Sequence, residues 1–469
     1  MSDTDLDTVA LAEETRERSH DAEDRLTPDF VSAVVDRLEA GQIEEARALV
    51  EPLHPADIAD LFELAPGDAR RPLATALADL LDGDVLAEMN DWVREQVMEA
   101  LSTQQVAELA AELDTDDAVA IIEDMEPADQ RAVLHAMDAD DRAAIEEALS
   151  YPEESAGRLM QRDLIAVPEH WTIGDVRAFL QGNDDLTTDF WEVFVVDAGH
   201  RPVGTCKVSW LMRAPDATPV AEVMAREQTL VPAAMDQEEV ALRFQKYALI
   251  SAAVIDAGGR LVGMITVDDI VHIIQQEAGE DALLLSGAGD GDINEPLAST
   301  IRSRMLWLFI NLWTAILAAG VVALFQGAIE KLVTLAVLMG IVNGMGGNAA
   351  TQTMAVTVRA LATNQLTGSN TWRMIVREWW IASANGLGLG ALMAIGCQII
   401  YHDWGLSMVL FLAMVLNSIN AGLSGVLIPL GLEKLKIDPA VTSTVFVTTM
   451  TDTIGFFVFL GLASLFLLH

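Results

Sequence analysis

The chain has 469 residues, 71 of them acidic and 28 basic, with a net charge of −43. The acidity is confined to one half: residues 1–300 hold 65 Asp+Glu against 20 Lys+Arg, whereas residues 301–469 hold 6 against 8 and are mostly apolar. This excludes a nucleic-acid-binding role and leaves an acidic soluble part, long enough for two or three domains, followed by a membrane part.

The first thirty residues are acidic and polar with no apolar core, so no signal peptide is expected and the acidic half should remain in the cytosol. Residues 1–26 read as a disordered acidic tail. The plain alternative for the acidity is a solvated surface suited to high salt, which 23 Arg against 5 Lys does not decide. Cys206 and Cys397 fall in different halves, so a disulfide is not expected.

Residues 27–150 read as one helical domain, and from residue 77 to 149 an apolar residue recurs every twelve positions: Leu77, Met89, Leu101, Leu113, Met125, Met137 and Leu149. That period fits short helix–turn units stacked into a solenoid, with a generic helical bundle as the alternative. A second repeat follows. Arg158-Leu-Met160 with Ala166-Val-Pro168 echoes Glu222-Val-Met224 with Leu230-Val-Pro232 at an offset of 64, and Val195-Val-Asp197 with Val203-Gly204 echoes Val254-Ile-Asp256 with Val262-Gly263 at an offset of 59. Each copy mixes an amphipathic helix with short apolar strands, so residues 151–217 and 218–275 read as twin α/β modules. They resemble tandem cystathionine-β-synthase-type (CBS) modules. Gly263-Met-Ile-Thr266-Val-Asp268-Asp269 matches that family's G-x-x-T-x-x-D ending, which implies a nucleotide site such as one for ATP at Thr266 and Asp269; a purely structural module is the alternative. Residues 276–300 read as an acidic connecting helix and linker, with Glu277 and Glu280 or Asp281 on one helical face.

Five apolar stretches are long enough to span: about 305–326, 332–356, 378–400, 407–430 and 440–468. Seven basic residues (Arg302, Arg304, Arg359, Arg373, Arg377, Lys434, Lys436) flank them on one side and Lys331 alone on the other, so the seven should face the cytoplasm and the C-terminus the outside. In the second stretch, Gly344-Met-Gly346-Gly347-Asn348-Ala-Ala-Thr351-Gln352-Thr353 exposes carbonyls, amides and hydroxyls. Such backbone is tolerated at membrane depth where it is packed in protein or faces water, and its oxygens suit a hard cation. Asp452 is the one acidic residue expected to be buried in this half, and no Lys or Arg within the stretches neutralises it. A carboxylate there marks a cation site in a conduction path. The odd number of spans suggests that two chains build the pore.

Taken together the chain resembles an MgtE-family magnesium channel along nearly its whole length: a helical solenoid, two CBS modules, an acidic connecting helix and a five-helix transmembrane domain over residues 301–469. The strings that carry the resemblance include Ser155-Ala-Gly-Arg-Leu-Met160, Glu277-Ala-Gly-Glu-Asp281, Gly344-Met-Gly-Gly-Asn348, Val358-Arg359-Ala-Leu361, Asp438-Pro-Ala440 and Thr449-Met-Thr-Asp452-Thr-Ile-Gly455. The resemblance implies Mg2+ uptake, not enzymatic activity, by a homodimer in the cytoplasmic membrane. Asp452 would bind hydrated Mg2+ in the pore. Gly344, Gly347, Asn348 and Thr444 would line it, and Asp269, Glu277, Glu280 and Asp281 would hold regulatory Mg2+ that closes it through a plug-like connecting helix. There are departures: Thr444 stands where some members carry a pore Asn, Val445 and His272 replace a Pro and an Asp, and Gly340 and Asn343 alter the stretch before the glycine cluster. Transport of Co2+ or Ni2+, and a CBS sensor that conducts nothing, are the other readings; few His and no Cys near Asp452 argue against a soft metal.

Overall fold

A computed structural model describes residues 19–23, 25–123, 125–183, 190–286 and 294–467, together with all their side chains except those of Asp281 and residues 441–443. Most of the acidic tail and the Gly287–Asp292 linker therefore lie outside the described residues, as does the side chain of Asp281. The chain divides into two compact units, Met1–Gln275 and Gln276–His469.

In the first unit the twelve-residue period is one short helix plus one turn. Helices Gly67–Ala76, Gly83–Ala87, Asp91–Met98, Thr103–Ala111, Thr115–Glu123, Pro127–Ala136 and Ala139–Leu149 follow one another, and each of the seven periodic residues ends a helix or lies in the turn just after one, within or against one core. The starts are set by local chemistry. The Asp82 and Asn90 side chains accept from Val85 N and Trp92 N, Ser102 forms a capping box with Gln105, and prolines open Pro55–Leu64 and Pro127–Ala136. Buried arginines tie the units together: Arg70 donates to the carbonyls of Phe62 and Glu63, each at 3.0 Å, which end the preceding helix. Described residues of the stretch read as the tail pack here as well. His20 Nε2 lies 3.0 Å from Asp57 Oδ1 and Leu26 is buried.

The twin modules each hold a three-stranded sheet. β1 (Ala166–Pro168) pairs parallel with β2 (Glu192–Val196), which pairs antiparallel with β3 (Pro202–Lys207); β4 (Leu230–Pro232), β5 (Ser251–Ile255) and β6 (Leu261–Thr266) repeat the pattern. The modules exchange their leading segments. A Cβ at Gly263 would meet Met160 Sδ at 2.7 Å and Gln161 O at 2.8 Å, and one at Gly204 would meet Ala225 O at 2.7 Å and Met224 Sδ at 2.8 Å. Each repeated Met thus packs on the glycine of the other repeat, so residues 155–161 belong to the core of the second module.

The second unit is a bundle of five long helices: Leu297–Leu324, Thr334–Ala362, Thr371–Tyr401, Trp404–Lys434 and Pro439–Leu467. Among the described residues four have the length and apolarity to cross a membrane, with the fifth counted from Thr444. Thr334–Ala362 is as long as the others but carries the glycine, amide and hydroxyl cluster, which dilutes its apolar content; the expectation of five apolar spans is met in number of helices but not in composition. The fourth helix is the most buried and packs on the second, third and fifth. Small residues permit close approach: Gly422 faces Ala382, Gly386 faces Val415 and Ser418, and Gly425 faces Ala350 O and Thr353. The apolar side chains of the first helix are largely exposed, as a lipid-facing surface requires.

Candidate cation site

Asp452 lies midway along the fifth helix and is half-buried. Among the described residues its carboxylate is not paired with a cation. Oδ1 accepts a 2.7 Å hydrogen bond from Asn343 Nδ2 on the second helix, so the charge is oriented without being cancelled. Next to this pair, Asn417 of the fourth helix, 1 % exposed, donates from Nδ2 to Val342 O at 2.9 Å. The carbonyl oxygens of both amides are buried without a partner among the described residues.

The second helix presents a small, polar face beside this point. Gly340, Gly344, Asn348, Thr351 and Gln352 are exposed, and Cβ atoms at Gly340, Gly344 or Gly347 would meet nothing within 4 Å. Gly346, on the opposite face, is packed against Asn417. Of the residues expected to line a path, Gly344, Gly347 and Asn348 therefore share an open helical surface. Thr444 has another use. Its hydroxyl donates to Leu285 O at 2.7 Å, satisfying a carbonyl in the last turn of the connecting helix Val267–Ser286. Leu284 and Leu285 pack there against Ala350, Met354, Val358, Ala421, Ala440 and Val447.

Two residues of this unit escape sequence reasoning. In the sequence Asn343 stands out only as a departure before the glycine cluster. Glu378, at the edge of an apolar stretch, is 6 % exposed, so Asp452 is not the one buried acid; Glu378 Oε2 accepts from Thr353 Oγ1 at 3.4 Å. It is the first residue of the third apolar stretch, and packing against the second and fourth helices buries it.

Comparison with known proteins bears on the same elements. Residues 339–462 match the MgtE model described as a divalent cation transporter, residues 53–154 the MgtE intracellular N domain and residues 220–276 the CBS domain. A magnesium transporter MgtE of Enterococcus faecalis is 30% identical over 322 residues, covering 69% of this chain and 71% of that protein. The chain belongs to the MgtE family. Another magnesium transporter MgtE, from Bacillus subtilis, is 28% identical over 94% of this chain and 98% of its own length. Among solved structures, the cytosolic domain of the Mg2+ channel MgtE in complex with ATP is 28% identical, with a TM-score of 0.48, over 52% of this chain and 99% of that one.

In this MgtE-family chain the cytosolic carboxylates cluster where the solenoid meets the second module. Burial pushes the Asp116 carboxyl well above its usual range, and Asp269, Asp117 and Asp114 push it further. Burial also raises Asp117, to about 6, with Asp269, Asp114, Asp84 and Glu88 adding to the effect. Asp269 is raised by burial, against the hydrogen bonds of Thr266. Asp116 Oδ1 is buried and unpartnered. No three His, Cys, Asp or Glu side chains form a metal cage among the described residues. The arrangement instead suits a hydrated ion, since Mg2+ keeps several waters and takes one or two carboxylates. Of these carboxylates the sequence singles out Asp269; Asp114, Asp116 and Asp117 stand at a helix start, where acidic residues are ordinary. Glu277 is half-exposed and Glu280 exposed on the connecting helix.

The expected nucleotide pair is engaged internally: Asp269 Oδ2 accepts from Thr266 Oγ1 at 2.7 Å and from Thr266 N at 3.4 Å, at the start of the connecting helix. A groove of about 410 Å³ between the modules is lined by Arg162, Ile165, Phe179, His200 and Val262 among others, and by neither Thr266 nor Asp269.

Proposed function

We propose that two copies of this chain form a channel that admits hydrated Mg2+ across the cytoplasmic membrane, and that Mg2+ at the acidic cytosolic domains closes it. One observation carries the reading: a half-buried carboxylate at mid-helix, held by a neutral amide, beside an open face of glycines, amides and hydroxyls. A charge at that depth is costly unless it meets water or a cation. An open small-residue face on one chain suits a second copy across a two-fold axis, which would double the carboxylate.

Mg2+ sheds water reluctantly and prefers six oxygens. A path that accepts the hydrated ion avoids most of the dehydration cost. Asp452 supplies charge, and the exposed Asn348, Thr351 and Gln352 side chains meet the water shell beside the open surface at Gly344 and Gly347. Flank charge supports a cytosolic acidic half and an outside C-terminus. Closure follows from the clustered carboxylates. Asp116, Asp117 and Asp269 repel while bare, and divalent ions relieve that repulsion. Glu277, Glu280 and Asp281 would join them along the connecting helix, whose last turn is latched by Thr444. The Thr266–Asp269 ending supports a nucleotide such as ATP as a modulator of the second module. Transport, with no enzymatic step, accounts for every group named.

The test is Mg2+ flux into liposomes holding the purified protein. Asp452→Asn keeps the shape and removes the charge; flux should fall at least roughly tenfold while dimer assembly is unchanged. Wild-type flux in that variant would contradict the proposal.

A further inference from the structure

We propose that Asn343 is a positioning residue for conduction: it fixes the Asp452 carboxylate in one orientation and thereby sets the affinity and selectivity for the hydrated divalent ion. This rests on the reading of Asp452 as the conduction-site carboxylate.

The argument starts from what each amide must do. Asn343 faces a carboxylate at 2.7 Å, so its Nδ2, the donor, must point there. Asn417 faces the Val342 carbonyl at 2.9 Å, which fixes its Nδ2 in the same way. Neither amide can flip without setting oxygen against oxygen. Both carbonyl oxygens are therefore turned towards the fifth helix, and both are buried without a partner. They converge on Gly455, where a Cβ would lie 2.9 Å from Asn343 Oδ1 and 3.0 Å from Asn417 Oδ1. Gly455 is one turn from Asp452 on the same helix, so the glycine admits the amides that hold the carboxylate.

A neutral donor is the chemistry such a site needs. An Arg or Lys at 343 would orient Asp452 but neutralise it, and an apolar residue would leave its rotamer free. With Oδ1 occupied by Asn343, Oδ2 is the oxygen available to the water shell of a passing ion. The orientation is also shared with the polar face of the second helix, because Asn343 and Gly344 are neighbours on it. Binding and discrimination should therefore depend on residue 343 even though it touches the ion only through Asp452.

The test uses the full chain in liposomes, with initial flux measured against Mg2+ or Co2+ concentration, each ion alone. Asn343→Leu, similar in size but without the donor, should raise the Mg2+ concentration for half-maximal flux roughly tenfold and lower the Mg2+-over-Co2+ preference, the scale of a lost hydrogen bond to a charged group. Asn343→Asp, which adds a second charge at the same spot, should lower the half-maximal concentration. Opposite shifts in two variants of one residue cannot come from partial misfolding, which reduces maximal flux alone. Should Asn343→Leu fail to assemble, Asn343→Asp carries the test. Half-maximal concentration and ion preference unchanged in the variants that assemble would overturn the inference, provided Asp452→Asn has abolished flux; wild-type flux in Asp452→Asn would overturn the conduction reading beneath it.

Discussion

Asp452 was legible in the sequence because one charge in a long apolar run has few structural uses. Its partner was not. Asn343 lies 109 positions away and becomes special only when the second and fifth helices pack. Thr444 shows the converse: read as a pore residue, it gives its hydroxyl to Leu285. Replacing it by Val removes that bond, at a cost of about 1 kcal/mol, so closure should need roughly fivefold more cytosolic Mg2+. Flux measured against cytosolic Mg2+ reads this directly. The glycines separate in the same way. Gly347→Ala points its methyl into open space and should leave the melting temperature unchanged while altering flux. Gly346→Ala would set its Cβ 2.2 Å from Asn417 Nδ2 and should cost about 1–3 kcal/mol, seen as a lower melting temperature.

At the scale of elements, local patterns were readable and exchanged ones were not. A period of twelve translates into helix plus turn because caps and apolar residues are both local signals. The internal echo revealed twin modules, yet it could not show that Met160 serves Gly263 and Met224 serves Gly204, since either pairing yields the same repeat. The second helix read as a span by length, although its cluster of small polar residues sets it apart from the four apolar helices. The acidic cluster between solenoid and second module was hidden because Asp114, Asp116 and Asp117 also look like helix-starting residues. It makes a pH prediction. The Asp117 carboxyl is raised from 3.8 to about 6 in the folded chain, so folding favours its protonated form. Its destabilising effect is absent below the unfolded value and complete above the folded one; without Mg2+, stability should fall as pH rises through that window. Asp117→Asn should flatten this dependence and raise the melting temperature at neutral pH. A melting curve as steep in pH for the variant as for the wild type would remove Asp117 from the cluster.

For the whole molecule the governing quantity is charge. Residues 1–300 carry a net −45, which favours separation of the soluble parts until cations accumulate. A shift from roughly 1:99 to 99:1 between open and closed needs about 5.5 kcal/mol of differential binding, a sum that several weak Mg2+ sites can share. Neutralising Glu277, Glu280 and Asp281 together should leave flux high at high Mg2+ and abolish Mg2+ protection of the connecting segment from protease; protection equal to wild type would contradict their role. The central claim is tested most directly by patch-clamp recording of the reconstituted chain with Mg2+ varied on the cytoplasmic face. Divalent current should flow at low cytoplasmic Mg2+ and shut steeply as it rises, and Asp452→Asn should carry none at either level. Absence of current at low Mg2+, or current indifferent both to cytoplasmic Mg2+ and to Asp452→Asn, would contradict the account.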